Sequence, residues 1–226
     1  MTGLTDKAGG ISTPGNAAVE RAHQAWQESM LRHLEVLRTD VRNNAPAPLA
    51  ARCGGIFTED QILLKYWGEQ VQIAWPSLEA IYLPGGKPCS IFDIGVLLYY
   101  LRTADGSPLA DRWISFRELP GGAFYHLAFQ GYSGDQMARA FNEHPTAFQE
   151  AAKALDGWHL SGIGENAYAF QPLPRIRLAA IFWPGDDEFP GRGQVLFDAA
   201  ASHYMTTDGL ALLGAGLARR MESKLR

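Results

Sequence analysis

The chain has 226 residues and a formal net charge of −4; 19% of its residues are charged, 46% hydrophobic and 11% aromatic. That length suits one domain, or one domain with an appendage, and the apolar share provides a sizeable core, which excludes disorder over the bulk of the chain. The acidic balance argues against a dedicated nucleic-acid binder, which carries a basic stripe.

The one basic cluster, Arg219, Arg220, Lys224 and Arg226, closes the last predicted helix, where it complements the negative helix end. Two cysteines, Cys53 and Cys89, form no C-x-x-C pair, so the chain cannot ligate an iron–sulfur cluster or a four-cysteine zinc ion by itself. The first residues lack the apolar stretch of a signal peptide, and no run approaches the length of a membrane span. A cytoplasmic protein that does not insert into a membrane is expected.

Residues 1–15 are rich in Gly, Ser, Thr and Pro and read as a flexible lead; residues 16–226 read as a single α+β domain. Asn16 can cap a long helix over residues 16–42, with Val19, Ala22, Trp26, Met30, Leu34, Leu37 and Val41 at steps of three and four. A short helical turn follows through Cys53 and stops at Gly54-Gly55. The stretch QILLKYWGEQVQIAW alternates as two strands around a tight turn at Gly68-Glu69.

Ser90-Ile91-Phe92-Asp93 has the capping-box pattern and opens an apolar helix from Ile94 to Leu101. Trp113 to Glu118 reads as extended, and Gly122 to Gln130 as helical. Ser133-Gly134-Asp135-Gln136 resembles a second capping box, for a helix to Asn142, and Pro145 opens another helix to Leu155. Strands are expected over Asn166–Gln171, Arg177–Trp183 and Gln194–Phe197. A last helix, capped by Thr206 or Thr207, carries Leu210, Leu213, Leu217 and Met221 on one stripe. Hairpins outnumber strand–helix alternations, so the expected class is α+β with a mainly antiparallel sheet.

Two stretches carry residues suited to a site. Asp186, Asp187 and Glu188, with Asp198 and His203 further on, offer mixed oxygen and nitrogen ligands for a divalent metal if the flanking strands bring them together. Such a centre would serve a metal-dependent enzyme, for instance a hydrolase. The alternative is an acidic, solvated hairpin loop with Asp198 capping a turn.

The second stretch runs from Trp113 to Phe129. Arg117, Tyr125 and His126 surround a Pro-Gly-Gly break, and the aromatic residues suit a pocket for a flat, largely apolar ligand. His126 and His203 are the histidines best placed to give an axial nitrogen to a macrocycle. The alternative is that Trp113, Phe116, Phe124 and Phe129 are core and Arg117 pairs with a carboxylate. No motif names a reaction, and a catalytic residue cannot be assigned.

Three stretches, SIFDIGVLLYYLRTADGSP, DRWISFRELPGGAFYHLAF and WPGDDEFPGRGQVLFDAAASHYMTTDGLALLG, resemble the family known as domain of unknown function 3786, over residues 45–220. The resemblance implies a neighbourhood of anaerobic cofactor metabolism. Members occur largely in anaerobic bacteria and archaea, and some are fused to segments like iron–sulfur or corrinoid–iron–sulfur proteins. The leading expectation is an accessory protein binding a corrinoid or haem-like tetrapyrrole through Trp113, Arg117, Tyr125, His126 and His203. A third expectation is a module docking onto a methyltransferase, corrinoid or iron–sulfur protein, with the N-terminal helix as the docking surface.

Overall fold

A computed structural model describes residues 33–225. Leu34, Leu37 and Val41 recur at helical spacing and are all buried, and residues 33–42 form the described part of helix α1. The upstream half of the predicted helix and the predicted flexible lead lie outside the described residues. Pro46, whose fixed φ suits a first helical position, opens the short helix α2 (Pro46–Arg52).

The next five strands form a meander. They are β1 (Ile56–Thr58), β2 (Gln61–Tyr66), β3 (Glu69–Ala74), β4 (Ala80–Leu83) and β5 (Lys87–Pro88), paired in that order and antiparallel throughout. Alternation decides which face is inside: Ile62, Leu64, Tyr66, Val71 and Ile73 are buried, and the residues between them are less so. The β2–β3 turn falls at Trp67-Gly68, one residue before the expected position, because Tyr66 pairs with Glu69. Both turn residues have positive φ, 51° and 81°, the geometry that matches the twist of a two-residue hairpin.

Helix α3 (Ile91–Thr103) starts as its capping pattern predicts, with the Ser90 side chain accepting from the Asp93 amide at 3.1 Å. Its residues from Val96 to Leu101 are buried all round, so it is the central helix of the fold. α1 lies beside it, with Asp40 paired to Arg102 at 2.9 Å and His33 Nε2 2.6 Å from the Tyr99 hydroxyl. Tyr100, within α3, donates to Cys53 O at 2.7 Å and accepts from Arg175 N at 3.1 Å.

The second half of the chain builds another antiparallel sheet, ordered β6-β10-β9-β8-β7. Its members are β6 (Trp113–Ser115), β7 (Trp158–His159), β8 (Ala167–Leu173), β9 (Ile176–Trp183) and β10 (Arg192–Asp198). Between β6 and β7 come α4 (His126–Tyr132), α5 (Gly134–Phe141) and α6 (Pro145–Lys153); α7 (Thr207–Glu222) follows β10. The α7 stripe Leu210, Leu213, Leu217 and Met221 is buried as expected. The two sheets meet where Trp67 N donates to Pro172 O at 2.9 Å. The fold is α+β.

Two local expectations need correction. Trp113 to Glu118 is extended only as far as Ser115; the Glu118 carboxylate then accepts from Ser115 N (2.7 Å) and Oγ (2.8 Å) and winds Phe116–Glu118 into a 3₁₀ turn. Ser133 does not cap α5: its hydroxyl is buried and donates back to Phe129 O at 2.5 Å, closing α4 instead.

Candidate functional site

The 3₁₀ turn after β6 leaves Phe116 buried and Arg117 exposed, because a three-residue turn points successive side chains to different sides. Pro120-Gly121-Gly122 then reverses the chain, with Gly121 at φ 73°, and a second 3₁₀ turn (Gly122–Phe124) leads into α4. This reversal sets His126, Leu127, Phe129 and Gln130 opposite Ser115 and Arg117. The start of β10 supplies the third wall, with Arg192, Gln194 and Val195. Between the walls is a cleft of about 570 Å³.

Its floor is aromatic. Phe129 stacks on Phe116 with centroids 4.2 Å apart and touches Phe197 at 5.7 Å. Its rim is polar and cationic. The Arg192 guanidinium lies 5.7 Å over the Trp183 ring, and Arg117 is exposed. Asp135 is the acidic side chain on the cleft, and its Oδ1 accepts from Gln130 Nε2 at 2.7 Å. The same amide donates to Gly193 O at 2.9 Å, tying α4 to the start of β10.

His126 Nδ1 is 2.8 Å from Ala123 O. A carbonyl only accepts, so Nδ1 carries the proton, and in the neutral ring Nε2 keeps the lone pair. A histidine oriented in this way is the usual form of a metal-ligating imidazole.

The structure therefore brings together two residues of the expected cofactor set, Arg117 and His126, and separates the others. Tyr125 lines a different cleft of about 440 Å³, with Thr103, Met205 and Asp208. Trp113 starts β6 opposite Asp198 and does not line the His126 cleft. His203 is exposed; its Nδ1 donates to Asp105 Oδ2 at 2.7 Å, with Ser107 Oγ 3.3 Å away. The Ser107 backbone amide first, and His203 second, hold the Asp105 carboxyl down at about 2.

The expected metal ligands do not converge either. Asp186 is held inside its own loop, where its carboxylate accepts from Phe189 N at 2.7 Å and Glu188 N at 2.9 Å; these bonds also keep its pKa below the usual range. Asp187 and Glu188 are exposed. Asp198 is buried at the far end of β10, and its Oδ1 accepts from Ala110 N and Ala200 N, each at 2.9 Å. The seven residues of β10 span roughly 20 Å, which parts Asp198 and His203 from the acidic loop. Among the described residues no group of three or more His, Cys, Asp or Glu side chains could hold a metal ion.

Arg192, Gln130 and Asp135 were not expected in the site. Gln130 belongs to it as the residue one helical turn after His126 on α4, whereas Arg192 is brought in because residues 126–135 pack against the start of β10, a long-range contact. A hint existed in Gly134 and Gly193, two glycines whose backbones meet: a methyl on either would stand 2.3 Å from the other's carbonyl oxygen.

The chain belongs to the family described as a domain of unknown function (DUF3786), whose model matches residues 45–220. No curated protein and no solved structure matches it. The match takes in the whole cleft. No helix among the described residues is long and apolar enough to cross a membrane.

Proposed function

We propose that this protein is a cofactor-binding accessory protein whose His126 cleft takes a flat, anionic ligand, a corrinoid or another tetrapyrrole. The observation that carries the reading is the joint placement of an oriented imidazole and two arginines around an aromatic floor. The volume of about 570 Å³ is in the range of small-molecule pockets.

The residues present fit the group. His126 would offer Nε2 to the metal, while Arg117 and Arg192 would pair with the carboxylates of a haem or donate to the amide oxygens of a corrinoid. Phe116, Phe129 and Val195 would cover part of the ring face. A bound corrinoid or haem would supply a redox-active metal centre able to take a nitrogen donor. The role of this chain is to bind, to orient the imidazole through Ala123, and to exclude water from one face.

The test is the visible spectrum of the purified protein before and after adding cobalamin or haem under anaerobic conditions. A band shift complete at one equivalent is expected. His126→Ala should change the shifted spectrum, whereas Arg117→Ala and Arg192→Ala should each weaken affinity about tenfold and leave the band position unchanged. No spectral change with either ligand refutes the reading.

A second reading, a docking module for a corrinoid, methyltransferase or iron–sulfur protein, draws support from the same surface. Leu127, which lines the cleft, is 76% exposed, and Phe124 and Phe189, each within three residues of a lining residue in sequence, are 88% and 67% exposed. The N-terminal helix expected to supply such a surface lies mostly outside the described residues; in its described part Leu34, Leu37 and Val41 face the core, while Val36 on the outer face is exposed. A Phe124→Asp, Leu127→Asp double variant should abolish binding to an immobilised corrinoid protein; undiminished binding sinks this second reading.

A further inference from the structure

A separate cleft of about 400 Å³ opens between the β4–β5 hairpin, the start of α3 and the last turn of α7. It shares no residue with the His126 cleft. Its polar lining is Glu69, Tyr82, Lys87, Ser90, Asp93 and Arg220.

Two of these groups are pinned. Asp93 is buried, and its Oδ1 accepts from the Tyr66 hydroxyl at 2.9 Å and from Arg220 Nη2 at 3.2 Å, while Oδ2 accepts from Ser90 Oγ at 2.6 Å. The Arg220 guanidinium lies 5.1 Å from the Trp67 ring centre and 5.5 Å from that of Tyr66. An arginine held flat on aromatic rings keeps its donors in fixed directions and loses little freedom when an acceptor arrives. Its Nε is buried with no acceptor among the described residues, and so is the Trp67 indole nitrogen beside it.

The other two charges are exposed to solvent. Glu69 and Lys87 line the same cleft, yet neither takes part in an ion pair among the described residues, and they do not pair with each other. Opposite charges that face one cavity without meeting leave a gap that a ligand carrying both signs would bridge. The Asp93 charge is already answered by Arg220, Tyr66 and Ser90. The cleft therefore offers one carboxylate, at Glu69, for a cation. For an anion it offers Lys87, with the remaining Arg220 donors and the first amides of α3 in support.

We propose that this cleft binds a small zwitterion of the amino-acid type, its ammonium at Glu69 and its carboxylate at Lys87 and Arg220. Tyr82 supplies an apolar wall for the side chain. The Asp93–Arg220 pair positions the anion end and is not consumed by the ligand.

The experiment is calorimetric titration of the full chain with individual free proteinogenic amino acids at millimolar concentration. At least one should bind with one-to-one stoichiometry. Its decarboxylated amine and its deaminated acid should each bind about tenfold more weakly or worse, since each removes one charge-assisted contact. Glu69→Gln and Lys87→Ala lie on exposed side chains outside the core, so both should fold with unchanged thermal stability and weaken binding about tenfold. No heat with any amino acid overturns the proposal. So does equal binding of the deaminated acid, which would make this a plain anion site, or normal binding by both variants. Because the two clefts share no residue, the tetrapyrrole titration can fail or succeed independently.

Discussion

Gly193→Ala probes the contact that closes the His126 cleft. The new methyl would stand 2.3 Å from Gly134 O, against the 3.4 Å at which ordinary van der Waals contact begins, so α5 and β10 must part by about 1 Å. The obstacle is backbone, which no rotamer change can relieve. Overpacking of this kind costs about 1–3 kcal/mol, and the reduced freedom of the unfolded chain returns about 0.4–1 kcal/mol.

A net loss of about 1–2 kcal/mol is expected, or about 2–8 °C in Tm for a chain of this size. Gly131→Ala is the matched control. Gly131 lies within α4 with nothing within 4 Å of an added methyl, so alanine's better helix propensity should stabilise by up to about 1 kcal/mol. Both values come from thermal and urea unfolding followed by far-ultraviolet circular dichroism. Displacement of Gly193 O from Gln130 should also weaken cofactor binding in the first variant and not in the second. Equal shifts of Tm in the same direction would refute the claimed close approach.

Two further outcomes test the roles given to site candidates that the fold separates. Asp198→Ala strands the amides of Ala110 and Ala200 and should destabilise by about 2–4 kcal/mol, with no change in metal content by elemental analysis; a variant as stable as the parent would mean these bonds contribute nothing. Asp105 has a folded-state pKa lowered from 3.8 to about 2, so its contribution is present above the unfolded value and disappears as pH falls through about 2. The Tm difference between the parent and Asp105→Asn should therefore be largest near neutrality and shrink below pH 4; a difference constant with pH contradicts the assignment.

Elements whose signals are local were legible in the chain. The capping pattern at Ser90 and Asp93, the alternation around Trp67-Gly68, and the stripes of α7 and of the described part of α1 each arise from neighbours within a few residues. Ser133 misled because the same serine pattern serves two purposes: its hydroxyl found Phe129 O behind it before an amide ahead of it. Trp113–Glu118 misled because the Ser115–Glu118 bonds turn the chain where alternation alone would continue it.

The candidate sites divide along the same line. Arg117 and His126 share one cleft because both lie on one reversal around Pro120-Gly121-Gly122, whose punctuation is written in the residues. Arg192 joins them through packing between residues more than sixty positions apart, as the Gln130–Gly193 bond illustrates, whereas Gln130 stands one helical turn beyond His126 on α4. For Asp186, Asp198 and His203 sequence proximity suggested convergence, but a strand holds its two ends apart by its own length. Residue chemistry and local hydrogen bonding are properties of the chain alone. Which side chains share a cavity depends on how β10 lies against α4 and α5, and that arrangement exists only once the layers have packed.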